Sequence, residues 1–153
     1  MDKIDKKILS ILQENSSLPL STIAKRVDLS TTPCFNRIKK LEEDGVIKKR
    51  VAILDNNKIN LPIIVFLSIS VAPHNEEWLK KFVNKITSFE EVVEVYRLTG
   101  DTDYIVKVLT NSIEEYDSFN QKLINDVSFR SLKSNIVLKE IKNNTMLPLK
   151  HVG

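Results

Sequence analysis

Asp28-Leu29-Ser30-Thr31-Thr32-Pro33-Cys34-Phe35-Asn36-Arg37-Ile38-Lys39-Lys40-Leu41-Glu42-Glu43-Asp44-Gly45 is the stretch from which the rest of this chain is read. At about 100° per residue, Cys34, Ile38 and Leu41 share one helical stripe and must face a core. Thr32, Asn36, Lys39, Lys40 and Glu43 lie opposite, with Phe35 and Arg37 on the flanks. The pattern predicts a helix from about Thr31 to Asp44. Ser30 or Thr31 is placed to cap its first N–H groups, and Pro33 is tolerated there because first-turn N–H groups have no intrahelical partner. Gly45 follows where a left-handed C-terminal cap is needed.

Two more helices are predicted upstream. Pro19 is followed by Ser21, a cap candidate, and then by Ile23, Ala24 and Val27 on one face. Before them Ile4, Ile8, Ile11 and Leu12 recur at helical spacing, closed by Asn15-Ser16-Ser17. A leading helix and then two helices separated by a three- or four-residue break is helix-turn-helix spacing. Residues 1–50 are therefore read as a helix-turn-helix domain.

Downstream, strand and helix alternate. Ile63 to Val71 is β-rich, with Leu67, Ile69 and Val71 alternating. Trp78, Leu79, Phe82, Val83 and Ile86 form a helical face bounded upstream by Pro73 and Asn75. Val92 to Leu98 reads as a strand, Thr99 to Asp103 as a turn, and Tyr104 to Leu109 as the antiparallel partner. Ile113, Tyr116, Phe119, Leu123 and Val127 make a second helical face, and Ser134 to Ile141 a last long strand. This is the βαββαβ order of a ferredoxin-like domain over residues 61–143. Residues 51–60 join the halves as a β linker, with Val51 to Leu54 a short strand and Asp55-Asn56-Asn57 a turn. The tail, residues 144–153, adds an edge strand or stays loose. The fold class expected is α+β.

Charge is unevenly distributed. Residues 1–50 hold 11 Lys/Arg against 7 Asp/Glu, while residues 51–153 hold 12 against 13. A basic first third on a near-neutral remainder suits a nucleic-acid module joined to an assembly or sensing module. In such a module the start of the second helix meets base edges, and basic groups further along meet phosphates. Thr31, Thr32, Phe35 and Asn36 are the base-reading candidates, since Asn can pair bidentately with adenine and Thr or Phe can pack on a thymine methyl. Arg37, Lys39, Lys40, Lys25 and Arg26 are the phosphate candidates. A Lys-Lys pair on an exposed helix is more often only a solvated face, and it is the surrounding module that favours DNA. Cys34 sits at the centre of the apolar stripe and reads as a small packed hydrophobe, not a sensor thiol.

These residues are similar to a known family. Leu29 to Glu42 closely resembles the recognition helix of the leucine-responsive regulator/asparagine regulator (Lrp/AsnC) family. Met1-Asp2-Lys3-Ile4-Asp5-Lys6-Lys7-Ile8-Leu9 resembles its first helix, and Gly100-Asp101-Thr102-Asp103-Tyr104 the short loop of its effector domain. The resemblance covers nearly the whole chain. It implies a winged helix-turn-helix domain, a β linker and a βαββαβ sensing domain. It also implies homodimers, often assembled into rings such as octamers, and an amino-acid effector bound near the Gly-Asp loop between dimers. The chain departs from the family pattern where Asn36 stands in place of a common glutamate and Thr102 in place of a common aromatic. Ser134-Asn135-Ile136 replaces a more aromatic run, and no basic arm precedes the first helix. The pocket edge is thereby more polar, so leucine need not be the effector.

An amino-acid zwitterion needs an acceptor for its ammonium and donors for its carboxylate. The Gly100 turn exposes N–H groups at low steric cost. Asp101 or Asp103 can accept from the ammonium. Thr99, Thr102, Tyr104, Ser134 and Asn135 complete the candidate effector site if the last strand borders it. Taken alone, Gly and Asp are ordinary turn residues.

Other classes of function find less support. The 42% hydrophobic content permits a core, and no apolar run is long enough for a membrane span. Charged residues at the N-terminus and a single cysteine point to a cytoplasmic, reducing location without a disulfide or a cysteine-built metal site. Neither histidine, His74 nor His151, falls in a catalytic constellation, and no phosphate loop or metal-ligand spacing occurs. No cofactor is expected. The alternatives are a tetrapyrrole-pathway decarboxylase subunit, since some family relatives have that activity on the same two-domain plan, and an architectural DNA-binding protein without a ligand.

Overall fold

Asp2 fixes where the chain first turns helical. Its carboxylate accepts from the N–H groups of Ile4 and Asp5 at 2.8 and 2.9 Å, and the Asp5 side chain accepts from the Asp2 N–H at 3.0 Å. This reciprocal capping box opens α1, Lys3–Glu14. The structure, a computed structural model, describes residues 1–71, 76–127 and 129–152. Pro73, His74 and Asn75, on which the expected start of a helix and a candidate histidine rested, lie outside them.

The described chain divides into two units, Met1–Ile53 with Ile141–Gly153, and Leu54–Glu140. In the first, α2 spans Leu20–Arg26 and α3 spans Thr31–Glu43. The N-cap of α2 is Pro19, with Ser21 already inside the first turn, so the expected Ser21 cap is not used. Ser30 does occupy the N-cap of α3, but its hydroxyl makes no capping bond. Between α2 and α3 the chain reverses through Asp28 at φ +57°, and Leu29 N–H returns to the Ala24 carbonyl at 3.0 Å. Gly45, at φ +70°, ends α3 as expected, donating to the Glu42 carbonyl at 3.0 Å. The core of this unit joins Ile8, Leu9 and Leu12 of α1, Ile23, Ala24 and Val27, and the stripe Cys34, Ile38 and Leu41. Cys34 is fully buried, and burial pushes its thiol pKa up, which fits packing and not reactivity.

The second unit is one four-stranded antiparallel sheet, order β2-β3-β1-β4, from β1 Ile63–Ser70, β2 Val92–Arg97, β3 Tyr104–Thr110 and β4 Ser131–Ile136. The helices are α4, Glu76–Ile86, and α5, Ile113–Asp126. With β1 and β3 adjacent at the centre, the arrangement is ferredoxin-like. Val65, Leu67 and Ile69 alternate with Val106 and Val108 on the core face, against Phe82, Ile86, Phe119 and Leu123. Val83, expected on the α4 core face, is exposed.

Three expectations need correction. No strand forms at Val51 to Leu54, and no wing strand forms among the described residues of the first unit. β propensity alone does not make a strand: without a neighbouring strand the backbone has no ladder to join, and Val51, Ile53 and Leu54 stay exposed. The turn after them is real, with the Asp55 carboxylate accepting from Asn57 N–H at 3.0 Å. The last strand begins at Ser131 and not Ser134, and ends at Ile136 and not Ile141, because its antiparallel partner β1 begins only at Ile63. Leu138 is then almost fully exposed. The tail forms no edge strand either. Leu149 packs on the first unit's core, and Leu147 exchanges hydrogen bonds with the Gln13 side chain at 2.6 and 3.2 Å.

Candidate nucleic-acid interface and effector site

The α3 stripe decides which side chains face outward. Because Cys34, Ile38 and Leu41 are buried, Thr31, Thr32, Phe35, Asn36, Lys39 and Lys40 are all exposed on the other side. Phe35 is 52% exposed, an apolar ring held in water at the head of the helix. With the Ser30 hydroxyl uninvolved, the first N–H groups of α3 are left to outside acceptors, and phosphate oxygens are well matched to that position. Lys25 and Arg26 lie on the exposed side of α2.

The cations here are not equivalent. Arg37 is half-buried and donates to Asp2 at 2.7 Å and to Asp5 at 2.8 Å. Both carboxylates raise the guanidinium pKa, and the Asp2 carboxyl is held below its ordinary value by the Asp5 N–H and by Arg37. Arg37 was expected among the phosphate contacts, but it is committed to α1. Lys39 reaches Glu43 one turn on at 3.5 Å, and Arg26 reaches Glu14 at 3.8 Å; these exposed pairs are weak enough to exchange for phosphate. Lys40 makes no ion pair among the described residues.

In the second unit, the loop between β2 and β3 borders a cavity of about 780 Å³. Gly100, Asp101, Thr102, Asp103 and Tyr104 line it, as the sequence suggested, with Tyr104 mostly buried against Phe82 at 4.8 Å. Gly100 sits at φ +113°, which explains why glycine is there. The loop is tied to the end of β1. Asp103 accepts from Val71 N–H at 2.8 Å, its own N–H donates to the Ile69 carbonyl at 3.0 Å, and the Ser70 hydroxyl donates to the Asp101 carbonyl at 2.8 Å.

Thr99, Ser134 and Asn135 do not line the cavity. Ser134 lies opposite Leu67 and hydrogen-bonds the Tyr116 phenol, while the Asn135 amide donates to the Phe66 carbonyl at 3.2 Å. Starting β4 at Ser131 moves an earlier segment to the cavity and carries these two residues past it. Ser68, Ser70, Arg97, Arg130 and Lys133 line it instead, and sequence reasoning missed all of them. Ser68 and Ser70 had a signal: they are the polar positions of an alternating strand whose other face is Leu67 and Ile69.

Comparison with known proteins follows the same division. A winged helix-turn-helix DNA-binding model matches residues 1–48, and an Lrp/AsnC ligand binding domain model matches residues 64–147. The chain is 38% identical over 150 residues to the DNA-binding transcriptional activator DecR of Escherichia coli (strain K12), covering 97% of this chain and 99% of the relative. The crystal structure of an AsnC family transcriptional regulator from Agrobacterium tumefaciens superposes with a TM-score of 0.93 at 49% identity, over 97% of each chain. A Neisseria meningitidis transcriptional regulator, solved as a complex with L-Met, superposes with a TM-score of 0.95 at 33% identity, over 99% of each chain.

Proposed function

Because the chain belongs to the Lrp/AsnC family of transcriptional regulators, we infer that it reads DNA with α3 and answers to an amino-acid effector held at the Gly100–Tyr104 loop. It is a DNA-binding transcriptional regulator with a ligand-binding domain. The observation that carries the DNA-reading assignment is the outward face of α3. Behind it the core fixes the helix by Cys34, Ile38 and Leu41, and in front it presents Thr31, Thr32, Phe35 and Asn36 near the N-terminal end, with Lys39 and Lys40 further along. Thr32 and Asn36 read base edges. Lys39, Lys40, Lys25 and Arg26 hold the phosphates. Arg37 acts through Asp2 and Asp5 to set how α3 lies on α1.

The effector reading rests on the cavity beside the loop. Asp101 or Asp103 accepts from the ligand ammonium, and the N–H groups around Gly100 receive its carboxylate. The L-Met complex of the Neisseria meningitidis regulator supports an amino acid as the class of ligand. In this reading the protein is a regulator and not an enzyme, works in the cytoplasm without a cofactor, and acts as a homodimer or a higher homo-oligomer. A two-fold dimer binds a pseudo-palindromic site with half-sites about one helical turn, or a multiple, apart. Ligand binding shifts DNA affinity or assembly only by as much as its affinity differs between the states, typically about 1–3 kcal/mol.

The test is to map genomic DNA bound by the protein with and without a panel of amino acids. Discrete sites whose occupancy changes with one amino acid are expected. Uniform coverage of DNA that ignores every amino acid would instead mark an architectural protein.

A further inference from the structure

The cavity at the Gly100 loop carries more positive charge than a neutral zwitterion uses. Arg97, Arg130 and Lys133 all line it, and among the described residues none of the three side chains is in an ion pair or hydrogen bond. Against them stand two carboxylates, Asp101 and Asp103, the second already accepting the Val71 N–H. An amino acid needs one carboxylate for its ammonium and one set of donors for its own carboxylate. At least one unpaired cation is then left facing the remainder of the cavity.

The sheet register says where. Lys133 is opposite Ser68, and Ser131 is opposite Ser70, so these side chains share the face of β1 that alternates away from the core residues Leu67 and Ile69. Arg130 immediately precedes β4, its N–H donating to the Ser70 carbonyl at 2.9 Å. The region is a polar strip of three hydroxyls and an ammonium beside a guanidinium. An apolar side chain laid there separates these groups from water and gives them no partner in return. A carboxylate gives the ammonium, the guanidinium and the Ser68 hydroxyl an acceptor, while the Ser70 hydroxyl keeps the Asp101 carbonyl. The apolar wall formed by Val71, Trp78 and Leu79 is left for the ligand's methylene stem.

Resting on the amino-acid sensor reading above, we propose that the effector is an amino acid with a second carboxylate in its side chain, held by Lys133 and Arg130 beside Ser68 and Ser70. The α-ammonium then faces the acidic loop, and net charge is matched on both sides of the complex. Selectivity against the amide of the same ligand comes from the loss of charge-assisted bonds, on the order of tenfold or more.

Calorimetry on the full chain tests this with L-glutamate, L-aspartate, L-glutamine, L-methionine and glutarate, at low and at moderate salt. One dicarboxylic amino acid is expected to bind at least about tenfold tighter than L-glutamine at low salt, with the margin shrinking as salt screens the pair. Lys133→Met and Arg130→Met, both at exposed positions, are expected to remove most of that margin by weakening the dicarboxylic amino acid more than L-glutamine. If L-glutamine or L-methionine binds as tightly as the best dicarboxylic amino acid, the inference is overturned while the amino-acid sensor stands. Retention of the full margin in both variants overturns it as well, and so does glutarate binding as tightly as L-glutamate. If no amino acid binds at all, the sensor reading itself falls.

Discussion

Arg37, midway along α3, donates to Asp5 of α1 at 2.8 Å, and the carboxylate it meets is only 15% exposed. The same carboxyl group closes the capping box of α1 through the Asp2 N–H. One ion pair therefore links the start of the first helix to the helix assigned to DNA. Arg37→Met should lower the stability of the protein and change DNA binding through the pose of α3. A double-mutant cycle of Arg37→Met with Asp5→Asn should show a coupling of about 0.2–1 kcal/mol in urea unfolding. If Arg37 were instead a phosphate contact, its loss would lower the salt slope of DNA binding by about one unit and leave the unfolding midpoint alone.

Acid should weaken the Asp2 cap and the ion pair of Asp2 with Arg37. The Asp2 carboxyl is held below its ordinary 3.8 by the Asp5 N–H first and the Arg37 side chain second. A carboxylate with a depressed folded-state pKa stabilises fully above its unfolded value and loses that contribution as pH falls through the folded value. The contribution of Asp2 should thus be complete at neutral pH and disappear only below about pH 4. Thermal unfolding of wild type and Asp2→Asn should differ at pH 7 and converge towards pH 2. A constant difference across that range would remove the cap from the account.

DNA affinity should separate into two kinds of contact. Lys39→Ala with Lys40→Ala should weaken binding to every sequence and reduce the salt slope by about one to two units. Asn36→Ala should change preference at one base position per half-site, by about 1–3 kcal/mol. Titrations on a cognate site and on single-base variants, at several salt concentrations, tell the two effects apart. If both variants behaved as the parent, α3 would not be the reading helix.

How much of this was legible in the sequence depended on whether a residue's role was local. The stripe Cys34, Ile38 and Leu41 was legible because helical periodicity depends on nothing outside the helix. Gly45 and Gly100 were legible because both take a positive φ. Val51 to Leu54 was misread because a strand exists only beside another strand. The start of β4 was misread because its register is set by β1, more than sixty residues earlier, and that error put Ser134 and Asn135 in the cavity in place of Arg130 and Lys133. Arg37 looked like a free surface cation because its partners, Asp2 and Asp5, come from another helix.

Gly100 should resist substitution because of its backbone, not its surroundings. A Cβ added there meets no atom within 4 Å, so no neighbour stands in the way of a side chain. The φ of +113° is still one that residues with a Cβ rarely adopt, at a cost on the order of 1–3 kcal/mol. Gly100→Ala and Gly100→Val should therefore both destabilise, with the β-branched residue worse, and both should weaken effector binding by displacing the loop N–H groups. Equal stability of Gly100→Ala and wild type in urea would show that the loop relaxes without strain.

The two aspartates of the loop should respond differently to substitution, since only one of them braces the fold. Asp103 accepts the Val71 N–H at 2.8 Å, while its carbonyl receives the Leu98 N–H at 2.7 Å and its own N–H reaches Ile69. Asp103→Ala leaves the Val71 N–H without its acceptor, a loss of about 1–3 kcal/mol for a buried group and less at this half-buried site. Asp103→Asn keeps an oxygen there and should recover most of the stability. Asp101 is exposed, and it is its carbonyl, not its carboxylate, that receives the Ser70 hydroxyl. Its carboxylate is thus the better placed to receive a ligand ammonium. Asp101→Asn should leave the melting temperature unchanged and weaken amino-acid binding about tenfold, with DNA affinity in the absence of ligand untouched. Asp103→Asn should bind the amino acid nearly as the parent does. If Asp103→Asn loses the ligand while Asp101→Asn keeps it, the ammonium belongs to Asp103, and the brace and the sensor are one group.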